Sequence, residues 1–275
     1  MREKIINSLD TAFYPWALLS GKECGVRILM YHLITRSPKP EEKAQVTISL
    51  DGFREQLTLI KNAGLQVITL RQALGILEKA PRSGRYLALT FDDFFRDTVE
   101  YAAPLLEEFG FPACFFIVTD YLDSNKPMPW LENPELYPLA GTRKMAKELS
   151  ERGFEIGSHT CTHPRLNRLG REEVRRELSD SRKILEDLIG KKMEFFAYPF
   201  GDDSTTDPEI QKLIAESGYK IGLMNITGIN RDLKNPYYMF RTHISEYDRG
   251  KQLLRKLKGA NDWYLFWQKF RTPKQ

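Results

Sequence analysis

The sequence predicts a distorted parallel (β/α) barrel of about seven strands, folded as a single domain. Three observations carry this. Short apolar, β-rich runs alternate with amphipathic helical stretches along the whole chain. The seven or eight βα units that result favour a closed ring of parallel strands over an open doubly wound sheet. No GxGxxG turn follows the first strand, so the main signature of a dinucleotide-binding sheet is missing. A chain of 275 residues is long enough to bury one large core.

The elements follow in order. "VRILMYH" (Val26 to His32) reads as the first strand. "SLDGFREQLTLIKNAG" (Ser49 to Gly64) is a helix with a serine cap, helical apolar spacing and a glycine stop. "QVITL" (Gln66 to Leu70) is a strand and "RQALGILEKA" a short helix. "RYLALTF" from Arg85 is a buried strand, followed by a helix over Thr98 to Gly110 and a strand over Pro112 to Thr119. The long piece from Tyr121 to Gly141, with four prolines, is an elaborated loop over one face, because β/α alternation resumes directly after it. A helix over Thr142 to Gly153 then runs into the strand "FEIGSH" (Phe154 to His159). A long helix over Arg171 to Gly190, with charges on one side, precedes the strand "MEFFAYP" (Met193 to Pro199). The helix "DPEIQKLIAESG", the strand "YKIGLM" (Tyr219 to Met224) and the strand "YMFRTHIS" (Tyr238 to Ser245) complete the series before a basic C-terminal helix. This divides the chain into an N-terminal extension (1–25), the barrel (26–248, with its insertion at 121–141) and a basic, aromatic tail (249–275).

Composition narrows the partners. The net charge of +4 arises from 41 basic and 37 acidic residues, too even a balance to indicate nucleic-acid binding. Three widely spaced cysteines without a CxxC pair argue against a disulfide framework and for a reducing compartment. No run approaches the ~18 apolar residues of a membrane span. The apolar stretch Ala12 to Leu19 is too short, and carries a proline, for a secretory signal. A cytoplasmic location is therefore expected. The tail from Gly250, rich in basic and aromatic residues, reads as a helix packing its apolar face on the barrel or as a peripheral contact with anionic membrane.

In a parallel barrel the reactive groups sit where strands end and loops begin. Four predicted strand ends carry unusual polar residues: His32 in "MYH", Asp92 and Asp93 in "TFDD", His159 and His163 in "SHTCTH", and the turn "FAYPFG" over Phe196 to Gly201. Three of the four histidines in the chain fall at these ends. Two imidazoles four residues apart, joined by one aspartate oxygen, make three protein ligands and leave a position open, the pattern of a catalytic rather than a structural metal site. Adjacent Asp92 and Asp93 fit either a turn and helix start ahead of Thr98 or a division of labour around a cation. In the second reading one acid binds the ion and the other stays free beside it.

"TFDD", "SHTCTHPRL" and "FAYPFG", in that order, resemble the first three motifs of the polysaccharide deacetylases, the NodB-homology carbohydrate esterases. The resemblance spans roughly residues 26 to 245. It implies that Asp92 is the general base and that Asp93, His159 and His163 hold a divalent metal, commonly zinc. It further implies that the backbone N–H of Phe200 helps to stabilise the oxyanion. In many members the third motif opens with an arginine that orients the base; Ala197 stands there in this chain, and Arg241 is the candidate replacement. The run "RILMYH" near the N-terminus resembles the branch with permuted motif order, which includes poly-N-acetylglucosamine deacetylases. It points to His32 as the general acid, with His243 as the fallback.

The function so implied is removal of N-acetyl groups from N-acetylated amino sugars of a polysaccharide or lipid-linked glycan, through a metal-bound water activated by Asp92. An O-acetyl esterase, another metal-assisted amidohydrolase and a non-catalytic glycan-binding member of the fold stay open as alternatives. Trp130, in the proline-rich loop, fits either stacking on a sugar ring or pinning its own loop.

Overall fold

The computed structural model describes residues 24–38, 46–81 and 83–259. The first strand, β1 (Gly25–Tyr31), is buried at every position. Two short strands, β2 (Leu33–Thr35) and β3 (Thr47–Ser49), pair with each other outside the main sheet. Helix α1 (Leu50–Asn62) begins at Ser49, whose side chain accepts a bond from the Gly52 amide and satisfies one of the free N–H groups of the first turn. The chain continues through β4 (Gln66–Val67), α2 (Leu70–Glu78), β5 (Arg85–Phe91), α3 (Arg96–Phe109) and β6 (Cys114–Ile117). Then come α4 (Arg143–Glu151), β7 (Glu155–Ser158), α5 (Arg171–Ile189), β8 (Phe195–Ala197), α6 (Pro208–Glu216), β9 (Ile221–Leu223), β10 (Arg241–His243) and α7 (Gly250–Leu257).

Seven strands form one parallel path in the order β10-β1-β5-β6-β7-β8-β9, with β4 beside the start of β5. The path nearly closes on itself: Leu223 bridges Met239 in parallel, and the Met224 amide donates to Met239 O at 2.8 Å. This is the expected distorted barrel. Alternation along each strand sorts the apolar side chains into two layers. Val26, Ile28, Ala88, Cys114, Phe116, Phe195, Ala197, Ile221 and Leu223 form one cluster that fills the barrel, with residues of α2 packed against it. Leu29, Tyr31, Leu89, Phe91, Phe115 and Ile117 belong to the larger cluster between sheet and helices. Glycine is required at 157, where a β-carbon would lie 2.3 Å from the Phe116 ring.

Several expected strands prove shorter, those over Pro112 to Thr119, Met193 to Pro199 and Tyr219 to Met224 narrowing to Cys114–Ile117, Phe195–Ala197 and Ile221–Leu223. The expected strand Gln66 to Leu70 stops at Val67, because Thr69 caps α2 in a reciprocal pair with Gln72. The expected strand Tyr238 to Ser245 narrows to Arg241–His243. The β2–β3 pair was not expected. In the tail, α7 buries Leu253 and Leu257, and Arg27 donates to Leu257 O at 3.1 Å. The run Ala12 to Leu19 and residues 260–275 lie outside the described residues. Among the described residues no helix is long and apolar enough to cross a membrane.

Candidate active site

The loops after the strands bring the singled-out residues together. The Asp92 amide donates to Tyr31 O at 3.0 Å, which prolongs the β5 ladder by one residue. Asp92 therefore follows Ala88 and Thr90 on the barrel-facing side. The His159 amide prolongs β7 in the same way, donating to Ile117 O at 2.9 Å. On β10, Arg241 stands opposite Ile28, a barrel-filling position, and is 1% exposed. A guanidinium there cannot shed its charge, so it needs a buried anion.

Asp92 supplies it. The Arg241 Nη1 and Nη2 groups donate to Oδ1 and Oδ2 of Asp92, both at 2.7 Å, and Nε donates to Met224 O at 3.0 Å. Burial by itself would push the Asp92 carboxyl up. The Arg241 charge, followed by His159 and the fork itself, outweighs it and holds Asp92 down at about 2. Asp93 goes the other way, pushed up to about 8 by burial and then by the charge of Asp92. Two neighbouring carboxyls thus end on opposite sides of neutrality.

Asp93, His159 and His163 offer donor atoms that all lie within 4.8 Å of one another. Asp93 Oδ1 is 3.9 Å from His159 Nε2 and 3.6 Å from His163 Nε2. His159 Nδ1 bonds Ala197 O at 2.8 Å, which fixes the tautomer and leaves the Nε2 lone pair toward the carboxylates. Burial lowers both imidazoles, His163 further through the neighbouring His159 and His32. Both rings are therefore unprotonated and able to donate to a cation. Two neutral imidazoles and one carboxyl that burial and a like charge disfavour as an anion fit a divalent metal.

The backbone around these donors is strained. Of eight non-glycine residues with positive φ among the described residues, five lie in these loops: Asp93 (66°), Phe94 (54°), Thr160 (68°), His163 (61°) and Phe200 (64°). Each costs about 1–3 kcal/mol unless its surroundings hold it there. In the His159–His163 loop the holder is Glu177 of α5. Its carboxylate accepts from the Cys161 amide (2.8 Å), the Thr162 amide (3.0 Å) and the Thr162 hydroxyl (2.6 Å). Thr160 Oγ1 accepts from the His163 amide at 2.9 Å.

His32 sits at the end of β1 with its ring centroid 5.8 Å from that of His243. His32 lies within electrostatic reach of Asp92, His159 and Arg241. Burial lowers the His32 imidazole to about 3 against the opposing pull of Asp92, so it is neutral in the free protein. Its Nδ1 is buried without a hydrogen-bond partner. Phe200 stands beside His163, ring centroids 4.9 Å apart, and its amide donates to no acceptor among the described residues.

Trp130 does something the sequence did not suggest. Its ring stacks on His163 at 4.1 Å and 22°, and its Nε1 donates to Asp93 Oδ1 at 3.1 Å. One face of the ring thus packs on an imidazole, while Trp130 also lines the adjoining pocket. One indole touches two of the three donors. Neither this nor the Glu177 brace carries a local sequence signal, since both join segments brought together only by the fold.

Comparison with known proteins gives a consistent picture. The profile of the family described as "Polysaccharide deacetylase" matches residues 79–222, more than half of the chain. Bacillus subtilis YxkH is 26% identical over 231 residues, covering 82% of this chain and 73% of its own. The poly-β-1,6-N-acetyl-D-glucosamine N-deacetylase of Staphylococcus aureus is 23% identical over 270 residues, 90% of this chain and 88% of that protein. The fold is similar to that of Streptococcus pyogenes deacetylase PplD, solved in complex with acetate. There the TM-score is 0.73 at 24% identity, over 86% of this chain and 99% of PplD. Motif order, barrel and family profile agree, and the chain belongs to the polysaccharide deacetylase family.

Proposed function

We propose that this chain is a metal-dependent N-deacetylase acting on N-acetylglucosamine-type residues of a polysaccharide or lipid-linked glycan. The observation that carries the reading is an ionised carboxylate, Asp92, forked by Arg241 and standing 4.0 Å from an imidazole of the Asp93/His159/His163 donor set. A binding module has no use for a free base beside three donors. Asp93, His159 and His163 would hold the divalent cation, zinc by the chemistry of the set, and when bound it supplies a Lewis acid toward the acetamide carbonyl and toward water.

The chain's own groups do the rest. Asp92, charged at any working pH, accepts the proton of the attacking water. The Phe200 N–H meets the oxygen that becomes negative. The water oxygen adds to the carbonyl carbon, the C–N bond breaks, acetate leaves, and the sugar amine takes a proton from His32. That ring starts neutral; the negative charge that grows beside it favours its protonated form, so it takes up the proton that Asp92 accepted from the water, passes it to the amine, and leaves Asp92 ionised again. The kinship to a poly-β-1,6-N-acetyl-D-glucosamine N-deacetylase supports the substrate class.

The test is metal analysis combined with acetate release from N-acetylglucosamine oligomers and lipid-linked amino sugars. Asp92→Asn is expected to retain metal and lose turnover by about 10²–10⁴-fold, the usual worth of a general base, whereas His159→Ala loses both. Full turnover in Asp92→Asn rejects the assignment of the base. Release from O-acetyl sugars alone rejects the amide as substrate.

A further inference from the structure

A pocket of about 290 Å³ opens directly beside the donor set, lined by Trp130, His163, Arg165, Arg168 and Phe200 among others. Because His163 and the residue carrying the oxyanion amide both line it, a glycan reacting at the site places its neighbouring unit here. The lining contains two guanidiniums and no carboxylate. Arg165 is held in place: it lies over the Phe200 ring at 4.1 Å, and its Nη1 donates to Asp202 at 2.9 Å. A guanidinium has five N–H donors, so this bond leaves most of them uncommitted. Arg168 closes the short turn Leu166–Arg168, is exposed, and has no acidic partner among the described residues. Arg165 has a structural partner in Asp202, but no carboxylate among the described residues offsets the charge that Arg168 adds to the same wall.

We propose that this pocket is an anion subsite: Arg165 and Arg168 together bind a phosphate ester or carboxylate carried by the glycan next to the acetamido sugar. The inference rests on the deacetylase reading for the position of the reacting sugar. It deepens that reading by assigning the glycan a negative charge. Arginine suits both anions, because its planar fork matches two oxygens at once. The same wall disfavours a cation. A unit already freed of its acetyl group carries an ammonium, so the pocket selects against neighbours that have reacted before.

The experiment compares binding of three trisaccharides to the intact protein by calorimetry. They are tri-N-acetylchitotriose, its phosphate ester, and an analogue whose neighbouring unit carries a carboxylate. At low salt the anionic ligands are expected to bind about tenfold tighter than the neutral one, as two charge-assisted contacts allow, and the preference shrinks with added salt. The larger of the two preferences names the anion. In Arg168→Gln the preference falls below about threefold, the level of one exposed pair. Equal affinities in the parent protein, or a preference that survives in Arg168→Gln, would overturn the subsite. Acetate release from the same three ligands is followed in parallel. A retained anion preference without any acetate release sinks the deacetylase reading and leaves the subsite standing.

Discussion

At the end of the barrel where its strands begin, two acids are committed to holding neighbouring elements. Glu155 accepts from the amides of Leu70 and Arg71 at 2.6 and 3.0 Å, and Glu194 pairs with Arg71 at 2.5 Å and Lys220 at 2.6 Å. At the opposite end, Asp93 receives one bond, from Trp130, and the Nδ1 atoms of His32 and His163 are buried with no partner. Leaving a buried polar group unpaired costs about 1–3 kcal/mol, and here two such imidazole nitrogens belong to residues gathered around the same pair of carboxyls. One end spends its polar groups on holding helix α2 against the sheet. The other keeps bonding capacity in reserve.

Substitutions at the two ends should therefore behave differently, and the largest contrast is in rate. His32→Ala is expected to lower acetate release by about 10²–10⁴-fold with metal retained, the range for a proton donor. If His243→Ala has that effect and His32→Ala does not, the acid is assigned to the wrong ring. Next is stability. Arg241→Leu strands Asp92 as a buried charge and should cost about 3–5 kcal/mol in denaturant unfolding. The sign with pH follows from Asp92 being held below its ordinary value. Its contribution is complete above about pH 4 and disappears as the pH falls toward about 2, where the folded carboxyl takes its proton. A parent protein whose stability is flat across that window argues against the fork.

Two smaller effects sharpen the comparison. Glu177→Gln removes the charge and one of the two acceptor oxygens that brace the His159–His163 loop, without touching a metal donor. Metal affinity by competition with a chelator should weaken about 10-fold, the lower end for an outer-shell partner, while the melting temperature moves little. An unchanged affinity would make Glu177 an ordinary helix residue. At the far end, Glu155→Gln should lower stability by about 1 kcal/mol through loss of a helix-start bond, with metal affinity and turnover unaltered. Loss of turnover there would erase the distinction between the two ends.

How much of this was legible beforehand depends on distance along the chain. Asp92, Asp93, His159 and His163 stand out because scarce ligand types sit at the ends of recognisable strands, and strand ends in a parallel barrel converge. The general layout of strands and helices followed from periodicity for the same local reason. Arg241 could be nominated only because Ala197 stands where the resemblance led one to expect an arginine. Its fork to a residue 149 positions away is a product of β10 lying beside β1. Glu177 looked like one more charge on the polar side of a long helix. Trp130 looked like a surface aromatic. The β2–β3 pair is three residues a side, too short for alternation to register.

The ring of strands has a seam. Between β9 and β10 the ladder is reduced to a bridge at Leu223 and Met239, and Arg241 spans that gap, with Nε on the Met224 carbonyl and its fork on Asp92. If the staves of this cask separate at that join, the rivet at the break is the side chain that keeps the base charged. Amide exchange at Met224 and Met239 would then rise together with the freedom of Asp92, so the opening of this join and the readiness of the chemistry form a single equilibrium.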